Sequence, residues 1–108
     1  MKTDPQIIIT IDKQFYSEDD EIRIHVWFNH AFYSPATLTV LSPSGRTVDS
    51  SGLKTDVGIT ETFAFTCGGP LMIENGNYMI RVECENVISE GMFEYYSARN
   101  RFRGGFGK

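Results

Sequence analysis

Two cysteines, two histidines, a run of four carboxylates and an arginine-rich terminus are the residues of this chain whose chemistry could exceed packing. Cys67 and Cys84 are the only thiols. In an immunoglobulin-like order Cys67 ends the fifth strand at one end of the sandwich and Cys84 lies near the far end of the sixth, so seven residues at roughly 3.3 Å each separate them by about 20 Å, whereas bridged Cα atoms lie within about 7 Å. Free thiols are expected, with Cys84 buried, which fits a reducing compartment or a surface domain that never needed the cross-link. No Cys-x-x-Cys occurs to hold zinc. His25 and His30 stand five residues apart, an odd spacing that places them on opposite faces of a continuing strand and argues for two surface histidines over a metal pair. Glu18, Asp19, Asp20 and Glu21 could attract a hard cation such as Ca²⁺. Alternation would spread them in two directions and the EF-hand spacing is absent, so a solvated acidic turn is the simpler expectation. There is no Gly-x-Ser-x-Gly elbow, no phosphate-cradling glycine loop before a helix, and no nucleophile with an evident histidine base. The chain reads as a non-enzyme with no cofactor and no metal.

Two stretches carry binding chemistry instead. Between two strands, Asn29 to Pro35 holds His30, Phe32 and Tyr33, and Trp27 and His25 point outward on the strand before it. Loops clustered at one end of a sandwich are common docking sites, and aromatic side chains give contact area at low entropic cost. Trp27, His30, Phe32 and Tyr33 are therefore the candidate protein-binding residues. A second reading stands beside this one, in which Phe32 or Tyr33 caps the core and Trp27 lies under the first strand or the tail. At the terminus, Arg99, Arg101, Arg103 and Lys108 alternate with Phe102, Phe106 and glycines, a composition that resembles segments binding RNA through phosphate contacts and stacking. A disordered or self-docked tail, docking to a protein, and binding of RNA or DNA are its three readings.

The elements that position these residues are strands. Apolar residues alternate with polar ones between turn signals, and nothing reads as a long helix. A first strand spans Gln6 to Asp12. The second sends Ile22, Ile24, Val26 and Phe28 inward and Arg23, His25 and Trp27 outward. Leu38 and Val40 mark a third, closed by the turn Ser42-Pro43-Ser44-Gly45, in which Pro presets φ and Gly accepts a positive one. A short strand from Arg46 to Ser51 follows. On the fifth, Ile59, Phe63 and Phe65 share a face with Glu61, near its solvated margin. Tyr78, Ile80, Val82 and Cys84 define the sixth, and after a tight turn at Asn86 the last sends Gly91, Phe93 and Tyr95 inward.

At 108 residues, 41% hydrophobic and 22% charged, the chain has room for one packed core and not two. The net charge of −4 is uneven: the segment from Ser97 carries four bases and no acid, so the body sets six bases against all fourteen acids and sums to −8. An acidic body argues against nucleic acid lying across the sandwich, because such binding neutralises phosphates with Lys and Arg. No stretch approaches the roughly twenty apolar residues of a membrane helix, and Ile7 to Ile9 is too short for a signal-peptide core. A cytoplasmic protein is expected if Met1 is the native start, with an extracellular domain excised from a longer surface protein as the alternative.

These strands imply an all-β, antiparallel two-sheet sandwich of about seven strands, immunoglobulin-like in order, over residues 1–96, followed by a flexible basic tail over 97–108. Phe15-Tyr16-Ser17-Glu18-Asp19-Asp20-Glu21-Ile22-Arg23-Ile24, Leu41-Ser42-Pro43-Ser44-Gly45, and Leu71 with Gly76-Asn77-Tyr78 resemble the macroglobulin-type and related immunoglobulin-like repeats of archaeal and bacterial surface proteins. The acidic run replaces the Pro-Gly usual before the second strand, and the basic tail has no counterpart in a typical repeat. The resemblance implies the fold and a role as spacer, adhesin module, docking unit or accessory subunit, with no shared catalytic residues. Another protein is the expected partner, nucleic acid through the tail is the alternative, and an edge strand could pair with another chain.

Overall fold

The computed structural model describes residues 6–29, 32–55, 58, 60–68 and 72–98. Eight strands follow in order: β1 Ile7–Ile11, β2 Phe15–Ser17, β3 Glu21–Phe28, β4 Ala36–Leu41, β5 Thr47–Leu53, β6 Glu61–Thr66, β7 Gly76–Cys84 and β8 Val87–Tyr96. They build a three-stranded sheet, β1-β3-β6, and a five-stranded sheet, β2-β8-β7-β4-β5. The molecule is an all-β sandwich, and the inward phases of its strands meet in one core. Ile22, Ile24, Val26 and Phe28 of β3 face Leu38 and Val40 of β4, Tyr78, Ile80 and Val82 of β7, and Phe93 and Tyr95 of β8, all buried. Burying each such side chain contributes about 1.5–3 kcal/mol, and alternation delivers them to one side at every second residue.

Eight strands stand where about seven were expected. The additional one is β2, which pairs parallel to β8, Phe15↔Glu94 to Ser17↔Tyr96, while every other strand pair is antiparallel. After β1 the chain leaves the three-stranded sheet and joins the edge of the other. Gln14 accepts a bond from the Glu94 amide at 2.8 Å, and the Tyr16 hydroxyl accepts one from the Lys13 amide at 3.1 Å. Tyr16 is buried, edge-on to Phe93 at 5.6 Å. A strand of three residues has a single inward side chain, too few to show alternation.

Ser97, the first residue of the expected tail, is held by the body. That residue is buried, its amide donates to Asn75 Oδ1 at 2.8 Å, and Asn75 Nδ2 returns a bond to its carbonyl at 3.1 Å. Ile59 and Leu71, used above for the fifth strand and the resemblance, lie outside the described residues. The turn Ser42-Pro43-Ser44-Gly45 forms as expected, with the Gly45 amide on the Ser42 carbonyl at 2.8 Å and Gly45 at φ 91°.

Tyr78 anchors the start of β7. It is fully buried, stacked on Phe93 at 5.5 Å and edge-on to Tyr95 at 5.8 Å. Its hydroxyl donates to the Glu74 carbonyl, four residues upstream, at 2.6 Å, a tyrosine corner of the kind found in immunoglobulin-like sandwiches. Burial pushes its phenol up to about 12, so it donates throughout the physiological range. Tyr78→Phe keeps the ring and removes the bond; stability should fall by about 1 kcal/mol. A urea titration should show a lower midpoint with unchanged slope, and an unchanged midpoint would show that the bond adds nothing.

Candidate functional site

The loop after β3 separates its two adjacent aromatics. Phe32 turns inward, half-buried, and meets Phe28 edge-on at 5.9 Å, so it caps the core. Tyr33 is fully exposed, at 101% of its reference area. The backbone beneath it is held from three directions. One carboxylate oxygen of Glu85 accepts the Tyr33 amide at 2.7 Å and the Ser34 amide at 3.2 Å. Thr55 Oγ1 donates to the Ser34 carbonyl at 3.2 Å, and the Cys84 thiol donates to the same carbonyl at 3.2 Å. Burial raises the Cys84 pKa, which keeps that proton in place. Glu85 reaches the loop because it occupies the two-residue β7–β8 turn at φ 55°. Hydrogen bonds to an ionised group are stronger than neutral ones, and a loop held in one conformation loses less entropy on binding.

The other expected binding residues are distributed differently. His30 lies outside the described residues, as do Arg99, Arg101, Phe102, Arg103, Phe106 and Lys108. Trp27 is half-buried on the outer face of the three-stranded sheet, opposite Ile8 in register. His25 shares that face, with Nδ1 3.1 Å from Thr62 Oγ1 and Nε2 3.1 Å from Asp12 Oδ1. Both ring nitrogens therefore join β3 to its surroundings.

A second surface escaped the sequence reading. On the outer face of the five-stranded sheet, Phe15 is 67% exposed, Ile88 57%, Met92 51% and Tyr96 49%. Half-buried Met79 and Leu41 continue the row in register, Leu41↔Met79 and Met79↔Met92. Depressions of about 270 and 290 Å³ flank Phe15, one reaching Asp20 and Tyr96, the other Asn77 and Met92. Exposed apolar side chains that gather on one face mark contact surfaces. The signal was present in β8, where Ile88, Met92 and Tyr96 occupy the phase opposite to Phe93 and Tyr95.

The carboxylates of the acidic turn diverge, and those of Glu18, Asp20 and Glu21 each engage a different protein group. Glu18 accepts the Ser97 hydroxyl at 2.8 Å, and Glu21 pairs with Arg23 at 3.0 Å. Asp20 accepts the Ser17 amide at 2.8 Å, its hydroxyl at 3.1 Å and Lys13 Nζ at 3.4 Å. The Asp19 amide donates to the Cys67 carbonyl at 3.1 Å, with Asp19 at φ 72°. Among the described residues no group of three or more His, Cys, Asp or Glu side chains could hold a metal ion, and no helix is long and apolar enough to cross a membrane. Cys67 and Cys84 are both free and buried, and burial pushes the Cys67 thiol up to about 11.

No family model and no curated protein matches the chain. Among solved structures it is similar to the sulfur carrier protein SoxY from Chlorobium limicola f thiosulfatophilum, at 10% sequence identity and a TM-score of 0.45, over 84% of this chain and 77% of that one. The functional reading therefore rests on this chain's own residues.

The bond from the Ser17 amide holds the Asp20 carboxyl below its usual range, and the Ser44 hydroxyl does the same for Glu74. In both cases the unfolded chain binds the proton more readily than the folded one. Their stabilisation is therefore complete above the ordinary carboxylate pKa near 4 and is lost as pH falls through the depressed folded values. Asp20→Asn should flatten the dependence of unfolding free energy on pH below about 4 relative to the parent chain. Identical slopes would remove Asp20 from the account of acid stability.

Proposed function

We propose that this chain is a non-catalytic protein-interaction module, an accessory subunit or surface-type domain, that docks on another protein through the Tyr33 loop, with the apolar outer face of the five-stranded sheet as a second surface. The observation that carries this reading is Tyr33, fully exposed on a backbone that Glu85, Thr55 and Cys84 hold in place. A large aromatic that contributes nothing to the core, on a segment fixed without a partner, has the properties of an interface anchor.

Several features favour binding over catalysis. The buried Cys67 thiol, at about 11, is not an activated nucleophile, and both nitrogens of His25 are engaged with protein groups. Two free thiols fit a reducing compartment. Glu83, Glu90 and Glu94 on the outer face of β7 and β8, against Arg81, would repel phosphates, which favours a protein partner over nucleic acid there.

The test compares neighbouring aromatics. Tyr33→Ala should leave unfolding free energy within about 0.5 kcal/mol of the parent and weaken the captured partner by about 30-fold, the scale of a 2 kcal/mol hot spot. Phe32→Ala should instead destabilise the fold by about 2 kcal/mol through loss of a half-buried ring. Binding that survives Tyr33→Ala unchanged would contradict the proposal.

A further inference from the structure

β6 is the one strand of the eight with no fully buried residue: its inward side chains are all half-buried and its outward ones all exposed. The cause is its position. It pairs with β3 on one side, from Glu21↔Thr66 to Val26↔Glu61, and it forms an edge of the three-stranded sheet with no described strand on its other side. Phe63 and Phe65 pack on the core with ring centroids 5.8 Å apart, yet remain partly open to solvent at this margin.

The opposite edge of the same sheet is closed. There the chain passes from β1 straight into β2 of the facing sheet, and Ile9 packs over Gly91 of β8. At β6 the chain also crosses between the sheets, from β5 into it and from it to β7, but among the described residues no strand pairs with its outer edge, while the facing sheet continues outward through β4 and β5.

Natural edges carry charges, prolines or bulges that prevent such pairing. The five-stranded sheet follows this rule: β2 is only three residues long, and the β4–β5 edge has a register shift at Val40/Leu41 and Asp49 within β5. β6, Glu-Thr-Phe-Ala-Phe-Thr, has no lysine, proline or bulge, and its one charge is at its end.

The sequence of β6 is also complementary to itself. Laid antiparallel about a two-fold axis at Ala64, Phe63 of each copy stands opposite Phe65 of the other, Thr62 opposite Thr66, and Ala64 opposite Ala64. Aromatic and threonine cross-strand pairs are favourable and no like charges meet, because Glu61 falls opposite Cys67. From this edge and this register we infer that the β6 edge binds a second copy of the chain, joining two three-stranded sheets into one of six strands and covering Phe63 and Phe65. The contact is isologous and closes as a dimer. Six residues per copy fall short of the roughly 20–30 residues a side of a stable interface, so the dimer is a weak, reversible one. It leaves the Tyr33 loop of each copy free and does not depend on that loop's role.

Sedimentation equilibrium of the full chain from micromolar to millimolar concentration should show the mass rising from 12.2 kDa toward twice that value. Ala64→Lys sets two ammonium groups against each other at the axis and should abolish the rise. Since Ala64 is exposed, its circular dichroism and unfolding midpoint should match the parent. Ser50→Lys, on the β5 edge, should dimerise like the parent. Should Ala64→Lys fail to fold, amide exchange in the parent decides: β6 amides become slower at high concentration if the edge pairs. A parent that stays monomeric throughout, an Ala64→Lys variant that still dimerises, or β6 amides indifferent to concentration would each overturn the proposal.

Discussion

The register of β7 is the constraint on which the rest of this structure depends. Its inward phase, Tyr78, Ile80, Val82 and Cys84, lies at the centre of the five-stranded sheet, between β8 and β4. At one end the Tyr78 hydroxyl ties the strand to the Glu74 carbonyl, and at the other the Cys84 thiol reaches the Ser34 carbonyl. A slip of one residue would exchange the core set for Asn77, Met79, Arg81 and Glu83, a substitution that no buried interior tolerates without charge pairing. The same register places Glu85 in the turn where its carboxylate accepts the Tyr33 and Ser34 amides. Core packing and loop conformation are thus two outcomes of one alignment.

The two faces of the strands divide the work. Inward residues build an apolar interior, and outward ones present two distinct surfaces. On the three-stranded sheet the outer face is tied together by His25, which contacts Asp12 and Thr62. On the five-stranded sheet it carries Phe15, Met92 and Tyr96 beside acids such as Glu94. The acidic turn has a structural use: Glu18 holds Ser97 at the end of β8, and Asp19 and Asp20 exchange backbone bonds with Cys67 at the end of β6. Gly68 permits this approach, because it sits at φ 97° and a Cβ there would lie 3.1 Å from Glu18 Cγ.

Much of the fold was legible because burial on one face writes a period of two. β3, β4, β7 and β8 were read from alternation, and the placement of Glu61 at the margin of Phe63 and Phe65 followed from parity alone. What was not legible lacked a period. β2 has one inward residue, Tyr16, and pairs with a strand almost eighty positions away, a contact that no local pattern encodes. In the loop after β3, Phe32 and Tyr33 are chemically similar neighbours, and only tertiary packing against Phe28 assigns one to the core and the other to solvent. Ser97 looked like the start of a polar tail until the Asn75 side chain was seen to satisfy both its backbone groups. Phe15, Met92 and Tyr96 were legible in principle, as apolar residues in the outward phase.

The central claim is that the Tyr33 loop is ordered before any partner arrives, and backbone ¹⁵N relaxation of the free chain tests it most directly. The bonds from Glu85, Thr55 and Cys84 require order parameters at Tyr33 and Ser34 of about 0.85, equal to those of β7. Values below about 0.6 at these two amides would mean that the loop is mobile on its own. Tyr33 would then be a flexible side chain on an unpinned segment, and the account of a preformed docking site would not stand.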